Sequence, residues 1–265
     1  MIKQFFKPTS LEEALMLKEK YENTAAWFAG GTHINHAAFA TNYEKVISLE
    51  GLGLHYINAK DKYISVGSAV TLQRLIDNGL IPESLRTVAA NSAPRSIRNM
   101  ATIGGDIAIK GRWTRLVPCL IALKAKVKTA NEQIQSIEEY IEQNHNELIL
   151  KITLPLLNAC ASVRQYKCQS SGPILVSAAT SIMKNSDGKI ENPIIAISSL
   201  EASPRRLTSI EQLLLQNPNP DRADLEAAIS ETVDPIVDHT GSIAFKKYIA
   251  GITISDCIFN CLNRG

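Results

Sequence analysis

Two pairs of adjacent glycines are the residues of this sequence that point most directly to chemistry. Gly30 and Gly31 end the apolar run AAWFAGG, and Gly104 and Gly105 occur in the similar stretch MATIGGD. Glycine reaches positive φ and lets the backbone approach a ligand closely, and successive N–H groups in such a turn form a concave anion site. Two such loops would suit a pyrophosphate, which offers oxygens on two phosphates.

A threonine stands beside each pair, and Thr32 and Thr102 would add hydroxyl donors to the two loops. The structural alternative is that both glycine pairs only permit tight turns. Neither stretch has the G-x-G-x-x-G pattern of a Rossmann fold, and the chain contains no G-x-x-x-x-G-K-[ST] phosphate loop. The residues by themselves leave both interpretations open.

The sequence contains no motif of a self-sufficient catalyst. His33 and His36 are spaced as one turn of a helix but lack an evident third metal ligand, and no H-E-x-x-H or G-x-S-x-G pattern occurs. We therefore predict no catalytic side chain and no metal site, and we expect a bound cofactor to supply any reactivity.

Composition limits the class of protein. The 265 residues, 45% of them hydrophobic, favour one large domain or two smaller ones. A net charge of +2 without a basic stripe argues against a nucleic-acid partner. No long apolar run or signal peptide is visible, and the five cysteines are scattered and odd in number, so we expect a cytoplasmic protein without membrane contact.

The hydrophobic patterns predict a mixture of helices and strands without a strict βαβ repeat, so the expected fold class is α+β. Pro155 ends an alternating strand and marks a plausible boundary, and NSDG predicts a hairpin turn. Helices are expected at PTSLEEALMLKEKY, TLQRLIDNGLIPESLRTVAANS, RLVPCLIAL, SIEQLLLQ, RADLEAAISETV and the C-terminal SIAFKKYIAGITISDCIFNCL.

WFAGGTHI followed by IRNMATIGGDIA resembles the two FAD loops of the flavin-binding medium subunits of molybdenum hydroxylases, such as carbon monoxide dehydrogenase and bacterial xanthine dehydrogenases. The segments FFKPTSLEEAL, VISLEGL, NELILKITLP and GSIAFKKYIAGI resemble further parts of that family. The resemblance implies a vanillyl-alcohol-oxidase (PCMH) type FAD-binding domain at 1–157, with α+β subdomains of about 1–57 and 58–157. A C-terminal α+β domain of the CO dehydrogenase flavoprotein type would follow at 158–265.

By the same resemblance, the cofactor is FAD and its contacts fall on four places in the chain. Ile149 would make an apolar contact to the flavin, and Lys167 would lie near the isoalloxazine ring. The first pyrophosphate loop would comprise Ala29, Gly30, Gly31, Thr32, His33 and Ile34, and the second Thr102, Ile103, Gly104, Gly105 and Asp106.

The resemblance also implies an electron-transfer role in a xanthine-dehydrogenase-like complex. A molybdopterin-binding large subunit and a [2Fe-2S] small subunit would be the partners, and NAD or another molecule would accept the electrons. A stand-alone flavin oxidase of the same fold, with FAD linked through His33, is one alternative. A scaffold subunit with a degenerate flavin site is another.

Two departures from the family pattern motivate the scaffold alternative. Asp106 occupies a place where the family usually has asparagine or serine, and a carboxylate beside a pyrophosphate is repulsive unless it points away or contacts a sugar hydroxyl. Arg115 stands where the family usually has an aspartate, so the charge there is reversed.

Overall fold

Three β-sheets, each built from a separate stretch of the chain, organise the computed structural model. The structure describes residues 2–36, 43–143, 147–156, 160–168 and 172–264. This mixture of mostly segregated strands and helices confirms the α+β class.

The first sheet is parallel, and one helix connects its outer strands. Its strand order is β1-β3-β2, and the helix α1 begins where the sequence predicts, with the Ser10 hydroxyl accepting a hydrogen bond from the Glu13 N–H at 3.1 Å. The elements are β1 (Gln4–Phe6), α1 (Leu11–Tyr21), β2 (Ala25–Phe28) and β3 (Lys45–Ser48), with 3-10 turns at Glu22–Thr24 and Glu50–Leu52.

The second sheet is antiparallel, has the order β4-β5-β8-β6-β7, and is accompanied by six helices. Its strands are β4 (Ile57–Lys60), β5 (Tyr63–Gly67), β6 (Lys126–Thr129), β7 (Ile134–Ser136) and β8 (Ile149–Pro155). The helices are α2 (Leu72–Asp77), α3 (Glu83–Ser92), α4 (Arg95–Arg98), α5 (Ile103–Ala108), α6 (Val117–Ala122) and α7 (Ile137–Glu142).

The third sheet, with the order β12-β11-β10-β9, is also antiparallel, and the chain ends in a long helix packed on it. The predicted NSDG turn joins its two longest strands, and Gly188 of that turn adopts a φ of +75°. The elements are β9 (Cys160–Lys167), β10 (Ile174–Lys184), β11 (Ile190–Ser198), β12 (Arg205–Arg206), α8 (Thr208–Gln216), α9 (Arg222–Thr232) and α10 (Ile243–Arg264).

This third sheet is buried on both faces. Along β11, Ile194 and Ala196 join the core formed with the second sheet, whereas Ile195 and Ile197 join the core under α8, α9 and α10. Successive strand residues point to opposite faces, so an uninterrupted apolar run is what a strand covered on both sides requires. The third sheet thereby ties the C-terminal elements to the rest of the molecule.

The sheets are separated in the chain near the predicted domain boundaries. The first sheet ends at Ser48 and the second begins at Ile57, and the second ends at Pro155 before the third begins at Cys160. The division at about 57 and 157 stays a prediction. Among the described residues, no helix combines the length and the apolar character needed to cross a membrane.

A buried ion cluster fastens the loop after α5 to the C-terminal elements. The Lys246 side chain is 2% exposed, and its Nζ donates to the Ile236 carbonyl at 2.6 Å and to Asp238 Oδ1 at 2.7 Å. Arg112 Nη2 lies 2.8 Å from Asp238 Oδ2. Burial alone would raise the pKa of the Asp238 carboxyl, but hydrogen bonds from Lys246, Thr240 and Arg112 hold that pKa well below its ordinary value.

We predict that Asp238→Ala lowers the free energy of unfolding by about 3 kcal/mol, because it leaves the buried Lys246 ammonium without its counter-ion. Urea denaturation of the full chain measures the change. The Asp238 pKa is depressed on folding, so its contribution is present above the unfolded pKa of about 3.9 and is lost as the pH falls through the folded value.

The matched control is Glu44→Ala, which breaks the exposed pair with Lys3 and should change stability little. Equal stability of the two variants at neutral pH would contradict the role assigned to Asp238.

Candidate functional site

The first glycine loop follows directly from the carboxyl end of β2. It leaves the sheet at Ala29, and Gly31 has a φ of +67°. Ligands of α/β sheets bind in the crevice beyond the carboxyl ends of parallel strands, and β2 and β3 are parallel neighbours. The loop is therefore placed where a small molecule would be expected.

Backbone donors are available in this loop. Within the described part of the chain, the N–H groups of Gly30, Gly31 and Thr32 meet no protein acceptor, although the Gly31 carbonyl accepts from the Asn35 N–H at 3.0 Å. Three successive N–H groups in a half-buried loop suit an anion, because an unpaired backbone donor is costly when water is excluded.

The second glycine pair is not a turn after a strand, which corrects the expectation of two equivalent loops. Gly104 and Gly105 lie inside the short helix α5, and the Thr102 hydroxyl accepts from the Gly105 N–H at 3.1 Å. The Ile103 and Gly104 N–H groups donate to the carbonyls of Val70 and Ser68, at 3.0 and 2.9 Å. These N–H groups are used within the protein, so the two loops differ in what they offer a ligand.

Close packing within the protein explains why three of these positions have no room for a side chain. A Cβ on Gly30 would lie 1.7 Å from the Met100 carbonyl oxygen, one on Gly31 would strike the Phe28 ring, and one on Gly104 would lie 2.6 Å from the Ser68 Cβ. Gly105 is different: it is exposed, and an added Cβ would meet only the Thr102 hydroxyl, at 2.9 Å.

The two loops meet around a cavity of about 300 Å³. Eleven of the thirteen residues predicted to contact the cofactor line it. These are Ala29, Gly30, Gly31, Thr32, His33, Ile34, Thr102, Gly104, Gly105, Asp106 and Ile149.

Ile103 and Lys167 are outside this lining. Ile103 is fully buried in the core beneath α5, because its side chain points to the opposite side from Gly105. The Lys167 ammonium donates to the Asn91 carbonyl at 2.9 Å, at the end of α3. The prediction that Lys167 lies beside a flavin ring is not supported by any contact with this cavity.

The sequence reasoning missed several lining residues that carry no motif. They are apolar, aromatic, polar and charged side chains whose place in the lining is revealed only by the folded structure. They include Lys18, Trp27, Tyr43, Leu49, Ser68, Glu147 and Leu148.

A second cavity of about 310 Å³ adjoins the first. Ala29, Gly30, Leu49 and Thr102 line both cavities. Phe5 and Phe28, whose rings pack edge to face at 5.3 Å, line only the second. Two compartments that meet at a glycine loop suit an elongated ligand with a group at each end.

Asp106 is turned towards the protein backbone and is only 6% exposed. Its carboxyl oxygens accept from the Arg115 N–H at 3.0 Å and from the Leu116 N–H at 2.8 Å, immediately before α6. Burial raises the pKa of the Asp106 carboxyl, and the Leu116 N–H and the Arg115 charge and N–H oppose that rise. Because the carboxyl oxygens face these backbone N–H groups, the repulsion expected between Asp106 and a pyrophosphate is reduced.

The lining of the first cavity carries charges of both signs, with Lys18 and Arg115 as cations and Asp106 and Glu147 as acidic residues. Lys18 donates to the Glu22 and Ala25 carbonyls at 2.7 and 2.8 Å, and burial lowers its pKa. Burial also lowers the pKa of His33, and the charges of His36 and Arg115 add to this effect. Burial is the main cause of the lowered His33 pKa, and the secondary contribution shows that the Arg115 charge reaches the part of the lining that His33 occupies.

The residues present fit FAD. Unpaired N–H groups at Gly30 to Thr32 suit its pyrophosphate, the bare backbone of Gly105 leaves room for close approach, and Trp27 and Ile149 offer apolar surface for a ring. In the described part of the chain, no group of three or more His, Cys, Asp or Glu side chains is arranged to hold a metal ion.

Comparison with known proteins agrees with this geometry. Residues 1–157 match the model of a family described as the FAD binding domain in molybdopterin dehydrogenase. The whole chain is 32% identical to the uncharacterized protein YgfM of Escherichia coli (strain K12), 98% of which it covers. It is 22% identical to caffeine dehydrogenase subunit beta of Pseudomonas sp. (strain CBB1), over 98% of this chain and 95% of that subunit.

Among solved structures, a chain of carbon monoxide dehydrogenase from Hydrogenophaga pseudoflava superposes with a TM-score of 0.88 at 20% identity. The match covers all of this chain and 98% of that one. The expected fold, a PCMH-type FAD domain followed by a domain of the CO dehydrogenase flavoprotein type, is thereby confirmed.

We predict that Asp106→Ala lowers the free energy of unfolding of the ligand-free chain by about 2–4 kcal/mol, since it strands the buried N–H groups of Arg115 and Leu116. Chemical denaturation without added ligand measures this change. Asp106→Asn, which keeps one acceptor oxygen, should lose less. A ligand-free Asp106→Ala protein as stable as the wild type would show that the carboxyl serves the ligand rather than the fold.

Proposed function

The chain belongs to the family of FAD binding domains in molybdopterin dehydrogenases, and we propose that it is the FAD-carrying, electron-transferring subunit of a xanthine-dehydrogenase-like molybdenum hydroxylase. The family membership makes it an FAD-binding member of an oxidoreductase family. The observation that carries the proposal is the cavity in which the first glycine loop, Gly105 and Ile149 come together.

In this proposal the protein binds and orients the cofactor. The N–H groups of Gly30, Gly31 and Thr32 hold the pyrophosphate, while Thr102 fixes the start of α5. Ile149, at the first position of β8, presents an apolar surface to the ring. FAD, when bound, supplies the redox chemistry, which collects electrons from iron–sulfur clusters and delivers them to NAD or another acceptor.

The proposed partners are a molybdopterin-binding large subunit and a [2Fe-2S] small subunit. The likeness to caffeine dehydrogenase subunit beta, one named subunit of a larger enzyme, supports membership of a complex.

Two measurements test the proposal. The purified full chain should show flavin absorbance, and denaturation should release FAD identified by mass spectrometry. Affinity purification from the native source should recover both partner subunits. A chain without FAD that does not bind it when it is added would overturn the proposal and favour the scaffold alternative.

His33 lines the cavity directly after Thr32, so the stand-alone oxidase with His33-linked FAD has a specific observation behind it. Acid denaturation separates the two functions. Complete release of flavin into the supernatant excludes a covalent link, whereas flavin that stays with the protein would favour the oxidase.

We predict that Gly105→Ala weakens FAD binding by about tenfold or more, equivalent to about 1.4 kcal/mol, because the new methyl group enters the cavity. The stability of the ligand-free chain should change by no more than about 1 kcal/mol, because displacing the Thr102 cap hydroxyl costs stability while alanine favours the helix. Flavin-fluorescence titration and thermal denaturation measure the two effects.

The matched control is Gly104→Ala, whose Cβ meets the Ser68 Cβ at 2.6 Å and the Ser68 carbonyl oxygen at 2.8 Å. This change should destabilise the ligand-free chain by about 1–3 kcal/mol. Unchanged FAD affinity of Gly105→Ala would exclude close approach of the cofactor at that position.

A further inference from the structure

We propose that Arg115 binds the pyrophosphate of the bound dinucleotide through its guanidinium group, and that Asp106 is the positioning residue that fixes the Arg115 backbone. This inference rests on the proposed FAD-binding function and names a contact within the same site. The two residues that depart from the family pattern would then act together at one site.

The first support is that the Arg115 side chain is half-buried at the cavity and available to bind a ligand. Arg115 lines the cavity together with both glycine segments. Among the described residues, its side chain has no hydrogen-bond acceptor and no ion-pair partner. Four other half-buried arginines are engaged: Arg98 with Gln73 and Ala90, Arg112 with Asp238, Arg205 with Glu201, and Arg206 with Glu211. Arg86 is half-buried as well, but it does not line the cavity.

The second support is the rigidity of the backbone that carries this side chain. Asp106 accepts from the N–H groups of Arg115 and Leu116. The Thr114 carbonyl accepts from the Ser198 hydroxyl at 2.9 Å, and Arg112 is paired with Asp238. A side chain that extends from a fixed backbone loses less entropy when it binds a ligand.

The third support is electrostatic. Lys18, the other cation of the lining, already donates to two carbonyls. Of the two acidic residues in the lining, Asp106 and Glu147, Asp106 directs its oxygens to the backbone. Arg115 therefore contributes the uncommitted positive charge, and its influence reaches His33. The planar guanidinium fork matches phosphate oxygens in bidentate geometry, which a lysine ammonium does not reproduce.

The contact predicts a particular ligand preference. Compounds with a diphosphate, such as FAD and ADP, should depend on Arg115, whereas riboflavin, which has no phosphate, should not. The contribution should also weaken as salt concentration rises, as expected for a partly exposed ion pair.

The experiment measures the Kd values of FAD, ADP and riboflavin by calorimetry on the cofactor-stripped full chain. The variants are Arg115→Gln and Arg115→Lys. Arg264→Gln removes the same charge from an exposed position near the C-terminus and is the matched control. Thermal denaturation without ligand checks folding. Arg115→Gln should be nearly as stable as the wild type, because among the described residues the guanidinium makes no hydrogen bond or ion pair and acts on Asp106 only through its charge.

Arg115→Gln should weaken FAD and ADP binding by about ten- to one-hundredfold and leave riboflavin binding unchanged, with Arg115→Lys intermediate. Equal weakening for riboflavin, or no weakening for ADP, would overturn the proposal. If the wild type binds no FAD, the proposed function itself fails. If it binds FAD and ADP and Arg115→Gln binds both equally well, only this inference fails.

The positioning role of Asp106 is tested by a double-mutant cycle with Asp106→Asn and Arg115→Gln. Asp106→Asn should weaken ADP binding in the wild-type background and change it little once Arg115 is glutamine. Additive losses in the two backgrounds would mean that Asp106 acts only through general stability, and would overturn its assignment to Arg115.

Discussion

The close approach of Gly30 to the Met100 carbonyl is the contact on which the rest of the site depends. The two residues come from distant segments: Gly30 lies in the loop after the parallel β2, and Met100 lies between α4 and α5. A side chain at position 30 would lie 1.7 Å from the Met100 oxygen and would force the two segments apart. Because glycine allows this contact, both cavities have the loop as a common wall.

The same constraint explains why the two similar glycine motifs do different work. The N–H groups of the first pair meet no acceptor among the described residues, while the second pair is held near the end of β5 by hydrogen bonds to the Ser68 and Val70 carbonyls. One segment offers donors and the other offers space, since Gly105 is bare backbone at the cavity surface. A site built in this way offers backbone donors to an anion from the first segment, while the second segment keeps its hydrogen bonds within the protein.

Much of the fold was predictable from the sequence because local chemistry and global packing agree. The cap at Ser10, the alternation that ends at Pro155 and the turn at Gly188 each have a short-range physical cause. The helical state of Gly104 and Gly105 was not predictable, since glycine disfavours helix interiors and only the Thr102 cap and the contacts to Ser68 stabilise it there.

The candidate site was predictable only where it carried a motif. Both glycine pairs were singled out by their motif, whereas Ile149 and the cofactor came from the resemblance to a known family. Trp27, Tyr43 and Lys18 were not found, because their place in the lining follows from how the first sheet packs and not from any spacing in the chain. Lys167 was assigned by resemblance alone; its ammonium donates to the Asn91 carbonyl, and its place beside the flavin stays a prediction.

The C-terminal elements contact the loop that leads to Arg115 and, among the described residues, do not themselves line the first cavity. In the part of the chain that the structure describes, the first cavity has no lining residue beyond Ile149. Ser198 and Asp238 nevertheless bind Thr114 and Arg112, on the segment that leads directly to Arg115. Asp106 fixes the same segment from the other side, so the position of one cavity cation is determined jointly by both halves of the chain. The C-terminal sheet, buried on both faces, is rigid enough to serve as that support.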